Sequence, residues 1–370
     1  MEIVAYRAEH VVAVRDFNAR LRDGGVALFQ FPESPTPAKP PNGDGREIYE
    51  EYFLAVENGS VRGGYILKHQ PFWIKGQVLE VGYLTLPVSE GIINKAYRRV
   101  GIDLFVDATK RVPLQFGLGM GSMEAPFVKI MQALGARARS VPFYLRVVHP
   151  ARFLHQCTYV RTSALRRNLL DVLAVTGIGG IAIKLVQATR RRSPSSDRGV
   201  GVEVVEEFED WCEIVWARSR DEYVMAALRD SAALRTLYPK GDRYIRLKVS
   251  RGKNPIGWAV VLATQMSGNK FFGNMKVGTI VDCLAQRQDA KAIVDIATQY
   301  LERAGGVDLI VSNQSAGVWG QALLERGYLR GPSNFIFTAT KELSRFLEPL
   351  DGTFDRIHLT RGDGEGPGTL

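Results

Sequence analysis

The chain has 370 residues, 45% of them hydrophobic, enough for two domains of about 150 residues each with real cores. Its net charge of +9 favours anionic partners, a class that spans phosphorylated cofactors, nucleotide sugars, RNA and anionic lipid. Cys157, Cys212 and Cys283 lie far apart with no His or Cys at ligand spacing, which argues against a disulfide framework or a zinc site and points to the reducing cytosol; MEIVAYRAEH has no apolar h-region, so no signal peptide is expected.

The first segment with clear periodicity is AEHVVAVRDFNARLRDGG. Val11, Val12, Val14, Phe17 and Leu21 fall mostly on one helical face, and Gly24 with Gly25 stops the helix. A loop follows, FPESPTPAKPPNGDG, whose five prolines and two glycines forbid regular structure; it is the first candidate for acceptor contact. Three strand-like runs, Tyr52 to Val56, Gly64 to Gln70 and Val78 to Leu86, then form an antiparallel meander. The turn PVSEG leads into a helix from Ile92 to Lys110, a buried strand PLQFGLG, a helix ending at Gly135 and a strand PFYLRVV. That order describes an α/β sheet, antiparallel at first and parallel near the middle.

Residues 151–200 are expected to bridge two domains as helices, ending in TRRRSPSSDRG, the expected mobile linker. Within them the apolar run VLAVTGIGGIAI, Val172 to Ile183, has 12 residues. That is short of the roughly 20 needed to span a bilayer. A buried inter-domain helix is the expected place for it. The alternative is peripheral contact with an anionic membrane surface, through Arg166, Arg167 and Arg190 to Arg192. The second half reads helices over Glu206 to Leu237, strands near Tyr244, Ile256 and Met275 to Asp282, a helix from Ala290 to Ala304, a strand DLIVSN, a helix from Gly317 to Arg326 and a strand NFIFTAT. The stretch HLTRGDGEGPGTL has no core-forming pattern and reads as a tail or a site loop.

The two halves repeat one plan about 192 residues apart: YFLAVENGSVRGGYILKH from Tyr52 matches YIRLKVSRGKNPIGWAVVLA from Tyr244, with Gly64 and Gly257 opening the second strand of each. GMGSMEAPFVKIMQALG, Gly119 to Gly135, likewise matches VSNQSAGVWGQALLERG, Val311 to Gly327. The expected domains are 1–150 and 201–348, with a helical bridge at 151–200 and a tail at 349–370.

The order of elements in both halves resembles the GNAT acyltransferase superfamily. The local match is SNQSAGVWGQALLERGY, Ser312 to Tyr328, similar to its N-x-x-A…L-x-x-x-G-[FY] segment. The tandem arrangement is similar to FemAB-type peptidyltransferases. With PVSEGIINKAYRRVG, LGMG and RGDGEGP, the whole chain resembles the tandem acyltransferases of bacterial exopolysaccharide and surface-polysaccharide clusters. The resemblance implies an α/β fold of two tandem GNAT-like domains with mixed central sheets flanked by helices, and a cytoplasmic enzyme that uses acetyl-CoA or another acyl-CoA. Its expected acceptor is an amine or hydroxyl of a sugar or surface-polysaccharide precursor.

A strand ending at a helix N-terminus presents unpaired N–H groups and a positive dipole end, which together suit a pyrophosphate. The expected cradle is Pro87, Val88, Ser89, Gly91 and Ile92; an ordinary helix start capped by Ser89 is the alternative. The family's Q/R-x-x-G-x-G/A string has one similar stretch, RRVGID, which departs from it by ending in Asp103. The matching junction of the second half, VDCLAQRQDAKAI, contains no glycine, so one cofactor site is expected, in the first domain. Gly119, Gly121 and Ser122 of LGMGS are expected at the carboxyl edge beside it, with a plain tight turn as the equal alternative. Acyl transfer needs a base, and Glu80 on the cofactor strand is the first candidate; a structural pair with Lys68 is the alternative. His69 and Glu90 are the next bases, Tyr97 is a candidate acid, and His358 with Asp363 would join if the tail folds back rather than staying solvated. No G-x-S-x-G, P-loop or H-E-x-x-H motif is present. Two rivals remain: an aminoacyl-tRNA-dependent transferase with Arg190 to Arg192 as a phosphate track, and a non-catalytic assembly protein that keeps the fold as a binding module.

Overall fold

The structure, a computed structural model, describes residues 1–27, 29–35, 47–119, 121–161, 163–190 and 199–364. Most of the Pro-rich loop, Arg191 and Arg192 of the linker, and the end of the tail lie outside the described residues.

The first half runs β1 (Glu2–Ala5), α1 (Val11–Asp23), β2 (Tyr49–Glu57), β3 (Ser60–Ile74), β4 (Gln77–Ser89), α2 (Val100–Arg111), β5 (Gln115–Gly117), α3 (Pro126–Ala133), β6 (Arg137–Ser140) and β7 (Phe143–Val147). Three helices follow: α4 (Pro150–Gln156), α5 (Ala164–Val175) and α6 (Ile178–Arg190). The second half runs β8 (Val200–Val205), α7 (Trp211–Ser219), β9 (Met225–Ala227), α8 (Ser231–Leu237), β10 (Ile245–Arg251), β11 (Asn254–Gln265), β12 (Lys276–Ala285), α9 (Ala290–Arg303), β13 (Leu309–Asn313), α10 (Gly317–Glu325), β14 (Leu329–Gly331) and β15 (Ile336–Ala339). The chain continues through α11 (Lys341–Phe346), α12 (Leu350–Thr353) and β16 (Ile357–His358).

The chain divides into two units, and they are not contiguous in sequence. The first is Met1–Ser140 with Asn334–Asp351; the second is Val141–Ser333 with Gly352–Leu370. The first sheet has the order β1-β2-β3-β4-β5-β15-β6, the second β8-β10-β11-β12-β13-β7-β14. These are the same order with one strand exchanged: β15 pairs antiparallel with β5 and β6, while β7 pairs antiparallel with β13 and β14. The expected boundaries at 150 and 201–348 therefore differ from the structure at these strands. PFYLRVV completes the second sheet and NFIFTAT the first, because two apolar strands with equivalent antiparallel slots carry no local signal saying which sheet takes which. The helices of residues 151–200 belong to the second unit, as does the segment from Gly352 on.

In the first unit, side chains alternate across the sheet as the strand period requires. Tyr65 and Leu67 of β3 meet Leu84 of β4 and Val100, Leu104 and Phe105 of α2 on one face. Ile66 and Val88 meet Val14, Phe17 and Leu21 of α1 on the other. Gly63 allows α2 to approach: an added Cβ would lie 2.7 Å from the Val88 carbonyl oxygen and 3.0 Å from Val100 Cγ1. Gly257 repeats this in the second unit, 2.6 Å from the Leu284 oxygen and 2.7 Å from Ile293 Cδ1 of α9. The structural counterpart of Gly257 is thus Gly63, one residue before the Gly64 that the sequence match pairs with it.

Two expectations are corrected. The helix expected from Ile92 begins instead at Val100, after two short 3-10 turns, Glu90–Ile92 and Lys95–Tyr97. Ser89 and Asn94 cap those turns, accepting hydrogen bonds from the Gly91 and Ala96 amides. The apolar run at Val172 to Ile183 is not a buried helix. It belongs to α5 and α6, which are bent by 81°. Among the described residues no single helix is long and apolar enough to cross a membrane.

Candidate active site

In each unit one parallel strand pair parts near a β-bulge. In the first, β4 and β5 pair only at Gly82↔Gln115 and Tyr83↔Phe116. Beyond that point the β3–β4 register shifts: Gly64 faces Val88 but Ile66 faces Thr85, so Leu86 and Pro87 together oppose Tyr65. Leu86 is held at φ +46, a strained backbone for a branched side chain. The Tyr83 hydroxyl donates to the Leu118 carbonyl (3.1 Å), tying β4 to the end of β5. In the second unit β12 and β13 pair over Val277↔Leu309 to Ile280↔Ser312, with a bulge at the same place, between Val260 and Val261 of β11.

After β4 an α-helix begins only at Val100, as α2, so the candidate cradle is Arg98 to Asp103, the RRVGID string. Pro87 and Val88 are strand residues, and Val88 is buried in the core against α1, so neither lines a helix N-terminus. Ser89 does reach it: a Cβ added to Gly101 would lie 3.8 Å from the Ser89 Cβ, with nothing nearer. That space, together with the exposed Lys95, Arg98 and Arg99, fits a diphosphate. Asp103, the residue at odds with this chemistry, has Arg99 Nε 3.5 Å away. Gly91 serves packing, since a Cβ there would meet the Tyr97 carbonyl oxygen at 2.7 Å, and Ile92 is exposed. Gly119 and Gly121 have φ of +97 and +89, and the Gly121 amide donates to the Gly119 carbonyl. Turn geometry alone accounts for these glycines; Ser122 is exposed beside them.

The acid–base candidates separate into two groups. Glu80 and His69 meet: His69 Nδ1 lies 2.7 Å from Glu80 Oε1, and His69 Nε2 lies 2.8 Å from Glu51 Oε2. Tyr49 stacks on the imidazole with centroids 4.3 Å apart. Glu51 and Tyr49 complete this carboxylate–imidazole–carboxylate chain, and neither is among the sequence candidates. Register opposes the alternative pair with Lys68: Lys68 sits across from Tyr83 and His69 across from Gly82, which puts Glu80 on the face of His69. The imidazole is buried while both carboxylates stay about 40% exposed, so the chain of groups opens to solvent at its ends. Glu90 is spoken for by structure: Arg20 and Arg62 donate to both its oxygens, at 3.0–3.3 Å. Tyr97 lies under Arg62, whose Cζ is 4.3 Å from the ring centroid.

In the second unit the corresponding parting is filled by the segment Ile357 to Asp363, which the sequence leaves as tail or site loop. The Leu359 carbonyl accepts from the Ser315 amide, and Gln314 and Thr360 form a bridge. His358, the one histidine of this wedge, places its Nε2 3.0 Å from the Cys283 carbonyl. Thr360 donates to Asp282 Oδ1 (3.1 Å), and Arg361 Nε donates to Asn313 Oδ1 (3.0 Å). Arg229, with no exposed side-chain surface, donates to Asp282 Oδ2 (2.8 Å) and Asp363 Oδ1 (2.6 Å), and Tyr238 also donates to Asp282. Gly362 is obligatory, since a Cβ there would collide with the Tyr238 hydroxyl. The solvated-tail expectation is thereby corrected for these residues: a Gly-containing stretch without core pattern is buried by its polar pairing.

The fold is α/β with mixed sheets of the GNAT acyltransferase type, present twice. It is similar to Saccharomyces cerevisiae N-myristoyltransferase with bound myristoyl-CoA, at a TM-score of 0.51 and 8% identity over 92% of this chain and 82% of that one. It is also similar to a GCN5-related N-acetyltransferase from Anabaena variabilis, at a TM-score of 0.50 and 10% identity over 91% of this chain and 72% of that one. No protein-family model matches the sequence, and no curated protein matches it.

Proposed function

We propose that the chain is an acyltransferase that takes its acyl group from acyl-CoA in the first unit and delivers it to an amine or hydroxyl of a sugar or surface-polysaccharide precursor. The observation that carries this reading is the parting of β4 from β5 at the Leu86 bulge, beside an α2 N-terminus that carries Lys95, Arg98 and Arg99. Bound there, acyl-CoA would supply the thioester. Arg98, Arg99 and the first α2 amides would hold its diphosphate, with Ser89 beside them. Glu80 would accept the proton of the attacking group and share it with His69, and Glu51 on the far imidazole nitrogen would steady the imidazolium that results. The second unit's parting is filled by its own chain, which supports a single CoA site. The acceptor class follows the sequence resemblance.

Isothermal calorimetry of the full chain with CoA, acetyl-CoA and longer acyl-CoAs tests the reading. Binding is expected, and the double variant Arg98→Glu/Arg99→Glu should weaken it by about tenfold or more at low salt. Gln288→Asp, at the exposed counterpart in the second unit, should leave it unchanged. No binding to any of these compounds would overturn the reading in favour of a non-catalytic module; equal effects of the two variants would mean that the site is misplaced.

A further inference from the structure

Helices α5 and α6 wear their apolar residues on the outside. Leu165, Leu169 and Val172 of α5, and Ile178, Ile181 and Leu185 of α6, are 56% to 80% exposed. Their spacing of three and four residues places each set on one helical face. The opposite face of α6 is the one that packs. Gly179 admits Leu154 of α4, 2.7 Å from where a Cβ would sit. Gln187 is buried and makes both of its hydrogen bonds to the Val147 backbone, at 2.9 and 3.1 Å. The apolar stripe is therefore not the face that attaches these helices to their unit.

Charge selects the occupant. Arg166, Arg167 and Lys184 are exposed on the same two helices. Asp171 is the one acidic residue between Ser163 and Arg190. Its carboxylate is turned to Arg161, at 2.6 and 2.9 Å, and His155, at 2.9 Å. An apolar face accompanied by cations, with its one anion neutralised, matches the interface of an anionic membrane: apolar side chains enter the acyl boundary and cations meet the headgroups. Neither helix is long enough to cross, since 12 and 13 residues reach about 18 and 20 Å against a core of about 30 Å. We propose that α5 and α6 form a docking surface that rests on anionic lipid. This inference stands apart from the acyltransferase reading.

Flotation of the full chain with phosphatidylcholine vesicles, with and without phosphatidylglycerol, tests it. The chain should float with the anionic vesicles, and Arg166→Glu/Arg167→Glu should reduce binding by well over tenfold, each lost cation being worth about fivefold. Ile181→Glu/Leu185→Glu should abolish it; both residues are exposed, and an unchanged circular dichroism melt confirms folding. Leu169→Trp, in an otherwise intact chain, should bring a fluorescence that brominated lipid quenches. Absence of flotation, flotation that survives the Ile181→Glu/Leu185→Glu change, or an introduced indole blind to brominated lipid would each overturn the proposal. So would lipid-free dimerisation abolished by the same glutamates together with no vesicle binding, which would assign the face to a second copy of the chain.

Discussion

Replacing Arg229 with Met tests whether the wedge in the second unit is seated as described. The substitution removes the cation between Asp282 and Asp363, both without exposed side-chain surface. Asp282 keeps Tyr238, Thr360 and the Cys283 amide as donors, and Asp363 keeps the Thr360 amide. Two buried carboxylates then lack a counterion between them, a change that costs about 3–5 kcal/mol. For a unit of roughly 210 residues, at about 2–4 °C per kcal/mol, the melting transition should fall by about 6–20 °C. Scanning calorimetry of the full chain reads this directly. Adding Asp363→Leu to Arg229→Met removes one stranded charge and should recover part of the loss, which distinguishes charge imbalance from lost packing. A fall of under about 3 °C for Arg229→Met would refute the reasoning, because it would mean that the carboxylates remain in contact with water.

Two further outcomes are expected. Glu80→Gln should lower kcat by about 10²–10⁴-fold while calorimetric binding of acyl-CoA stays intact, and unchanged kcat would place the base elsewhere. Burial lowers the pKa of His358, Arg229 acting in the same sense and Asp282 and Asp363 opposing. Below an ordinary value of about 6.5 the unfolded chain therefore binds more protons than the folded one, so this residue makes stability rise with pH and erodes it as pH falls through that value. His358→Gln should flatten the difference between urea midpoints at acid and neutral pH; identical pH dependence in both proteins would count against the assignment.

Much of the fold was legible because hairpins, glycines and helical periods are local. The site was legible only where register was. The tight turn at Lys75 and Gly76, both at positive φ, fixes β3 against β4 and so sets Glu80 on the face of His69 rather than that of Lys68. The turn at Asn58 and Gly59 looks equally informative, yet a register shift between Ala55 and Val56 moves the rest of β2 by one residue. That shift brings Tyr49 opposite His69 and Glu51 to its imidazole, and sequence offers no sign of it. The helix start is hidden from sequence for a related reason: Ser89 and Asn94 cap turns that do not continue into α2. Burial of the RGDG stretch was hidden because its partners, Arg229 and Asp282, are distant in sequence and polar.

The exchange of β7 and β15 bears on how the chain is made. Neither sheet can be completed as its own half emerges: β7 must wait for β13 and β14, and the slot between β5 and β6 stays empty until Ile336–Ala339 has been synthesised. The closing pairings are therefore among the most distant in sequence, the kind that form slowly and leave strand edges bare meanwhile. A fragment cut at the apparent repeat boundary would carry one strand without a slot and one slot without a strand.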